Sequence, residues 1–273
     1  MGTHPTLPSK LLQGGGETLV ERLRKKPELL GDRRLDDLPF LFKVLAIRKA
    51  LSIQSHPDKK FAERLHAVAP NIYKGASPKL IANFLFCTSY QQCTDPNHKP
   101  EMAIALTPFR AMCGFRELYN IRRFVLDLSP ELFAMGDISI VQNFVDSPST
   151  ETFKPFFESI MKADAKKVEV AITDLLRDCA KRLSLNKLEG EAKKVVELAL
   201  ELNEQFPGDV GIFCAFFLQV IDLAPGEAIF LGAGEPHAYV SGGAQASPSP
   251  SPSFCISYYH VFHVLTTPAG RYC

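Results

Sequence analysis

The hydrophobic period of this chain changes twice, and those changes constrain its fold more than any other feature. Across residues 116–206 the apolar positions recur at helical spacing. Ile121, Phe124, Val125 and Leu128 make one stripe, and Val168, Ile172, Leu175 and Leu176 make another. Val195, Val196, Leu198, Leu200 and Leu202 belong to a long final helix, with glutamates and lysines on the outer faces. On either side the pattern is β-type. Residues 38–47 are apolar on both faces except at Lys43 and predict a buried strand. Residues 51–55, 102–106 and 228–231 predict three more strands. A helical stretch of about ninety residues between β segments is large enough to be an inserted domain.

The remaining segments are punctuation or oddities. Asp58-Lys59-Lys60 opens a helix carrying Phe61, Leu65 and Val68 on one stripe. Pro207-Gly208-Asp209 and Pro225-Gly226-Glu227 are turn signals. Residues 210–223 are so uniformly apolar that strand and buried helix stay open. Residues 75–93 are apolar and aromatic with no clear role. Residues 241–253 are mostly Gly, Ala, Ser and Pro and predict a tail with no core-forming capacity, and the aromatic residues 254–264 after it are isolated.

Composition excludes several function classes. With 46% hydrophobic and 22% charged residues, the 273-residue chain can bury a substantial core. Thirty-one basic against 30 acidic side chains leave a net charge of +1, which offers no general field for nucleic acid or an anionic membrane. No apolar run approaches the roughly 20 residues of a membrane span. Seven scattered cysteines without a C-x-x-C pair predict reduced thiols and a cytoplasmic protein. There is no P-loop, no G-x-G-x-x-G and no G-x-S-x-G.

Two short blocks carry the chemistry: Ser52-Ile53-Gln54-Ser55-His56-Pro57 and Asn97-His98-Lys99-Pro100-Glu101. Residues at i and i+2 of a strand share a face. Gln54 would then sit beside His56, and Lys99 beside Glu101. An amide oxygen, an imidazole and a carboxylate converging inside a β-structure make a first shell for a divalent metal. His237, after a strand and a glycine bend, supplies a fourth donor. His56 and His237 read equally well as ordinary core or turn histidines. His98 points away from Lys99 and Glu101, His4 and His66 fall in surface contexts, and the i, i+3 pair His260 and His263 is a coincidence of the tail. Lys99 could bind a substrate oxyanion or move a proton. Lys43 either faces a cavity or snorkels to solvent.

At these residues the chain resembles the type I phosphomannose isomerases of the cupin superfamily. The matching stretches are Met1-Gly2-Thr3-His4-Pro5, residues 38–43, 51–57 and 97–108, Cys113-Gly114-Phe115-Arg116, residues 207–211 and 223–228, and Pro236-His237-Ala238-Tyr239. The resemblance implies a β fold with an α insertion: a partial cupin (jelly-roll) β-barrel with an inserted helical domain. The expected division is 1–116 for the first part of the cupin domain, with an atypical insert at 74–94, then 117–209 for the helical domain. Residues 210–240 are the returning cupin strands and 241–273 a disordered tail. It implies one Zn²⁺ per chain on Gln54, His56, Glu101 and His237. Ser52 and Lys99 fall on substrate-binding positions, with Lys99 also the catalytic candidate.

The implied reaction is zinc-dependent interconversion of mannose 6-phosphate and fructose 6-phosphate through an enediol(ate), feeding GDP-mannose synthesis. The implied protein is a cytoplasmic monomer whose partner is a sugar phosphate, with no nucleic acid and no membrane. The chain departs from the family at its start, over residues 75–94, and after Tyr239, where the family continues into an arginine-bearing catalytic segment. The expectation is therefore a truncated or alternatively spliced form that keeps its metal ligands and lacks part of the catalytic apparatus. The alternatives are a non-catalytic zinc- or sugar-phosphate-binding cupin and a helical interaction module.

Overall fold

A computed structural model describes residues 3, 8–13, 15–31, 38, 40–55, 60, 101–128, 131–242 and 261–266. Among them seven strands form two antiparallel sheets. The strands are β1 (Phe40–Leu45), β2 (Glu101–Ala105), β3 (Phe109–Phe115), β4 (Leu218–Leu223), β5 (Ala228–Leu231), β6 (His237–Gly242) and β7 (Val261–Thr266). One sheet runs β1-β7-β2-β5 and the other β4-β3-β6.

The connections between sheets follow from turn chemistry. Leu106-Thr107-Pro108 ends β2 and turns the chain into β3, in the other sheet. Between β4 and β5 the chain crosses back through Ala224-Pro225-Gly226-Glu227. Proline presets the first central position of this turn, and Gly226 takes the positive φ of 91° that the second requires.

The space between the sheets is filled by Ile47, Ala103, Ala105, Phe109, Ala111, Cys113, Leu231 and Tyr239. Alanines on β2 and β3 leave room for two rings. Phe109 and Tyr239 meet edge to face with centroids 5.4 Å apart. The opposite face of the β4-β3-β6 sheet carries Met112, Leu218, Ala238 and Val240, all members of a second, larger core shared with the helices.

The helices are α1 (Leu19–Lys25), α2 (Leu118–Asp127), α3 (Glu131–Met135), α4 (Ile138–Asp146), α5 (Thr150–Met161), α6 (Ala165–Ser184), α7 (Gly190–Gln205) and the single turn α8 (Cys214–Phe217). Their starts are marked by side chains that accept the first free N–H groups: Asp137 for α4, Ser149 for α5 and Asp164 for α6. The predicted stripes are buried, with Ile121, Phe124, Val125, Leu175, Val195 and Leu198 all at 1% exposure or less. Phe144 and Phe156 stack at 4.8 Å, and Phe217 meets Phe153, Phe156 and Phe157 edge-on. Each such ring contributes about 1.5–3 kcal/mol by burial.

Arg116 sits where the chain leaves β3 for the helices. Its side chain is 2% exposed and forms an ion pair with Glu191 of α7. It also donates to the carbonyl of Ala215, and its guanidinium lies 5.1 Å from the Phe124 ring centre. Its backbone N–H bonds to the carbonyl of Phe217, so the chain's exit from and return to the barrel lie side by side.

Four sequence expectations need correction. Residues 51–55 are not a strand: their pairing with β6 reduces to one isolated bridge, Gln54 to His237. The bonds run from Leu51 to Tyr239 and from Gln54 to His237, so three steps on one side oppose two on the other. That extra residue prevents a regular ladder. Second, residues 38–47 are not a fully buried strand. β1 is an edge strand among those described, and Val44 is exposed. Third, residues 210–223 are neither one strand nor one helix. They begin with a 3₁₀ turn (Val210–Phe213), continue through α8 and end as β4. Fourth, the expected tail contains β7, which pairs with both β1 and β2 through Phe262, His263 and Val264. Strand β3 was not anticipated as a separate element.

Candidate metal centre

His237 opens β6 and Glu101 opens β2, so the two face each other from opposite sheets. Both side chains are almost fully buried, and His237 Nε2 lies 3.4 Å from Glu101 Oε2. The other ring nitrogen, Nδ1, is 3.0 Å from the main-chain carbonyl of Glu235. A carbonyl oxygen only accepts, so Nδ1 carries the proton. In the neutral ring the Nε2 lone pair then faces the carboxylate.

That separation fits a metal. Zinc–nitrogen and zinc–oxygen bonds of about 2.0–2.1 Å at a tetrahedral angle put neighbouring donors about 3.3 Å apart. A charge-assisted hydrogen bond would draw the same atoms to about 2.7–2.9 Å. The donor chemistry, one imidazole nitrogen and one carboxylate oxygen, is that of a zinc ligand set.

Gln54 joins these two through the backbone. Its N–H bonds to the His237 carbonyl and its carbonyl accepts from the His237 N–H, each at 2.8 Å. Directly opposed residues of an antiparallel pair present side chains to the same face. Gln54 is half-buried there. His56 and Lys99 lie outside the described residues, as do His98 and the 74–94 insert. Among the described residues no group of three His, Cys, Asp or Glu side chains could hold a metal, so the four-donor set is present here only as Gln54, Glu101 and His237.

Ser52 does not join them. It is exposed and lines a cavity of about 310 Å³ whose walls include Met112, Phe157, Leu202 and Phe206, between the barrel and the helices. The extra residue between Leu51 and Gln54 breaks the i, i+2 relation on which the shared face of Ser52 and Gln54 would rest.

Two neighbours of the pair were not singled out from sequence. Tyr239 is buried, donates its hydroxyl to Glu101 Oε2 at 3.2 Å, and sets its ring 5.8 Å from that of His237. The i, i+2 rule that paired Gln54 with His56 applies equally to His237 and Tyr239 and would have found it. Burial pushes the Tyr239 hydroxyl far up, with the Glu101 charge adding to it, so the group remains a donor. Cys113, the cross-strand partner of His237, is pushed up to about 12, first by burial and then by the Glu235 charge. It stays a neutral thiol at pH 7.

Comparison with known proteins places this geometry in context. The family profile for phosphomannose isomerase type I, catalytic domain, matches residues 1–118, and that for the helical insertion domain matches residues 136–218. Mannose-6-phosphate isomerase of Cryptococcus neoformans is 41% identical over 273 residues, covering 89% of this chain and 57% of the relative. The Bos taurus protein of the same name is 39% identical, covering 89% of this chain and 55% of its own length. The chain thus spans about half the length of the curated relatives it matches. A crystal structure of mannose 6-phosphate isomerase from Salmonella typhimurium, bound to fructose 6-phosphate and zinc, superposes with a TM-score of 0.71. It is 28% identical, with 98% of this chain and 59% of that chain covered.

Proposed function

The chain belongs to the type I phosphomannose isomerases, and from that premise we propose that it interconverts mannose 6-phosphate and fructose 6-phosphate with one Zn²⁺ per chain. The observation that carries this reading is the 3.4 Å approach of His237 Nε2 to Glu101 Oε2 inside the barrel. Gln54, paired to His237 through its backbone, and His56, two residues on, complete the proposed ligand set.

Aldose–ketose isomerisation moves a proton between C1 and C2 through an enediol(ate). Bound zinc supplies Lewis-acid stabilisation of the negative charge on the sugar oxygens. The protein's own residues do the rest. Glu101 and His237 hold donor atoms in a buried, preformed geometry, and Tyr239 fixes the carboxylate. Lys99, two residues before Glu101, is the proposed proton carrier and a substrate contact. The interconversion is a step towards GDP-mannose. A cytoplasmic monomer acting on a sugar phosphate, without nucleic-acid or membrane partners, goes with that function. The family resemblance and the reduced cysteines support it.

The test is to purify the full chain and measure its zinc content together with its turnover of mannose 6-phosphate. One zinc per chain with turnover is the expected result. Zinc without turnover would replace the enzyme by a sugar-phosphate-binding cupin, and absence of zinc would remove the metal centre.

A further inference from the structure

His237 is held by a turn whose closure depends on the side chain of Glu235. The Glu235 N–H bonds to the carbonyl of Gly232 at 3.3 Å, and the Gly232 N–H returns to Glu235 Oε2 at 3.0 Å. These two bonds close the 232–235 loop from both ends. They fix the direction of the Glu235 carbonyl, which is the acceptor for His237 Nδ1–H. The other carboxylate oxygen, Oε1, lies over Gly114 of β3, 2.9 Å from where a Cβ would stand. Gly114 makes that approach possible in two ways. It lacks the Cβ, and it takes a φ of +66° at a point where the register of β3 with β4 shifts. Its own N–H bonds to the carbonyl of Pro236 at 2.8 Å, between Glu235 and His237.

We propose that Glu235 and Gly114 are positioning residues for the metal centre. The Glu235 carboxylate, seated in the Gly114 bulge, locks the 232–235 turn so that its carbonyl selects the Nδ1–H tautomer of His237 and aims Nε2 at Glu101. This rests on the metal reading given above. Its chemistry concerns the partner of a ligating imidazole, which sets ring orientation and tautomer and influences metal affinity by about 10- to 100-fold.

The experiment uses the full chain with Glu235→Ala, Glu235→Gln and Gly114→Ala. Two readouts are taken: long-range ¹H–¹⁵N correlation of the imidazole rings in metal-free protein, and the zinc dissociation constant by chelator competition. Wild type is expected to show His237 with the proton on Nδ1. Glu235→Ala is expected to mix the two tautomers and weaken zinc binding by about 10- to 100-fold. Glu235→Gln, whose amide oxygen still accepts from Gly232, is expected to restore the tautomer and bring affinity to within about threefold of wild type, since an acceptor oxygen is retained. Gly114→Ala, which places a methyl against Oε1, is expected to shift both readouts in the same direction as Glu235→Ala. It reaches the turn from the other strand and decides the matter if Glu235→Ala does not fold. Unchanged tautomer and affinity in Glu235→Ala or Gly114→Ala would overturn the proposal, as would failure of Glu235→Gln to restore them. If wild type binds no zinc, the metal reading fails, while the tautomer in the metal-free variants still decides the positioning role.

Discussion

Tyr239 and Glu101, 138 residues apart in sequence, are joined by one hydrogen bond from the phenol to the carboxylate oxygen that faces His237. The bond ties β6 to β2 across the barrel. Removing the hydroxyl takes one restraint from the carboxylate while the ring keeps its packing on Phe109. Tyr239→Phe is expected to weaken zinc binding by about tenfold. Its cost in stability should stay near 1 kcal/mol, the usual net worth of such a bond. Metal titration and thermal melting of the same preparation separate the two effects.

Glu101→Gln replaces a charged donor by a neutral amide at the centre of the proposed ligand set. Zinc content is expected to fall to background in this variant and after chelator treatment of wild type. Activity should return in wild type alone when zinc is restored. Retention of stoichiometric zinc by Glu101→Gln would exclude Glu101 as a ligand.

Lys99→Met tests the proton carrier separately from the metal. The variant is expected to bind zinc as wild type does and to lose turnover by about 10²- to 10⁴-fold, the usual worth of a general acid–base group. Full turnover with zinc bound would assign the proton to another group.

Arg116 is a buried charge whose Nε has no hydrogen-bond partner among the described residues. Burial pulls its guanidinium below the usual arginine range, and Glu191 opposes that shift. Arg116→Ala is expected to cost about 3 kcal/mol, because it empties a packed site between β3, α7 and α8. Arg116→Met keeps the apolar stem and removes the poorly solvated charge, so it should fall within about 1 kcal/mol of wild type. Urea midpoints of the two variants distinguish a packing role from an ionic one.

Cys179 and Cys214 are both 1% exposed, and burial pushes each thiol up to about 12 from an ordinary 9.0. The folded chain therefore holds protons that the unfolded chain releases above pH 9. The stability these thiols contribute is complete below pH 9 and is lost as the pH rises towards 12. At pH 10.5 the loss is at most about 2 kcal/mol per thiol. Urea unfolding at pH 7 and pH 10.5 of wild type and a Cys179→Ala, Cys214→Ala variant measures it, with the variant expected to show the smaller drop.

The sequence made some elements legible because one physical signal dominated there. The stripes of α2, α6 and α7 each pack on a single core, and β5 is a short apolar run bounded by glycine turns. Strand β3 escaped because Ala111 and Cys113 enter the barrel while Met112 enters the helical core, leaving no polar face to alternate with. Residues 210–223 stayed ambiguous for a related reason, since everything from Ile212 to Leu218 is buried. Strand β7 could not be read from its own pattern. It is specified by its partners β1 and β2, which lie far away in the chain. At the candidate site the donor types of Gln54, Glu101 and His237 were legible. The bulge that separates Ser52 from them was not, because it depends on how residues 51–54 meet β6.

The sheet β4-β3-β6 is a party wall: Ala111, Cys113 and Tyr239 furnish one room, and Met112, Ala238 and Val240 the other. Two rooms that share a wall cannot be demolished one at a time. The helical insertion is therefore not an independent melting unit, and calorimetry should record one endotherm in place of two. Lesions deep among the helices, such as loss of Phe217, would be transmitted to the imidazole and carboxylate on the far side of the same strands. A spectroscopic metal such as cobalt, seated between them, would then report on damage in a core it never touches.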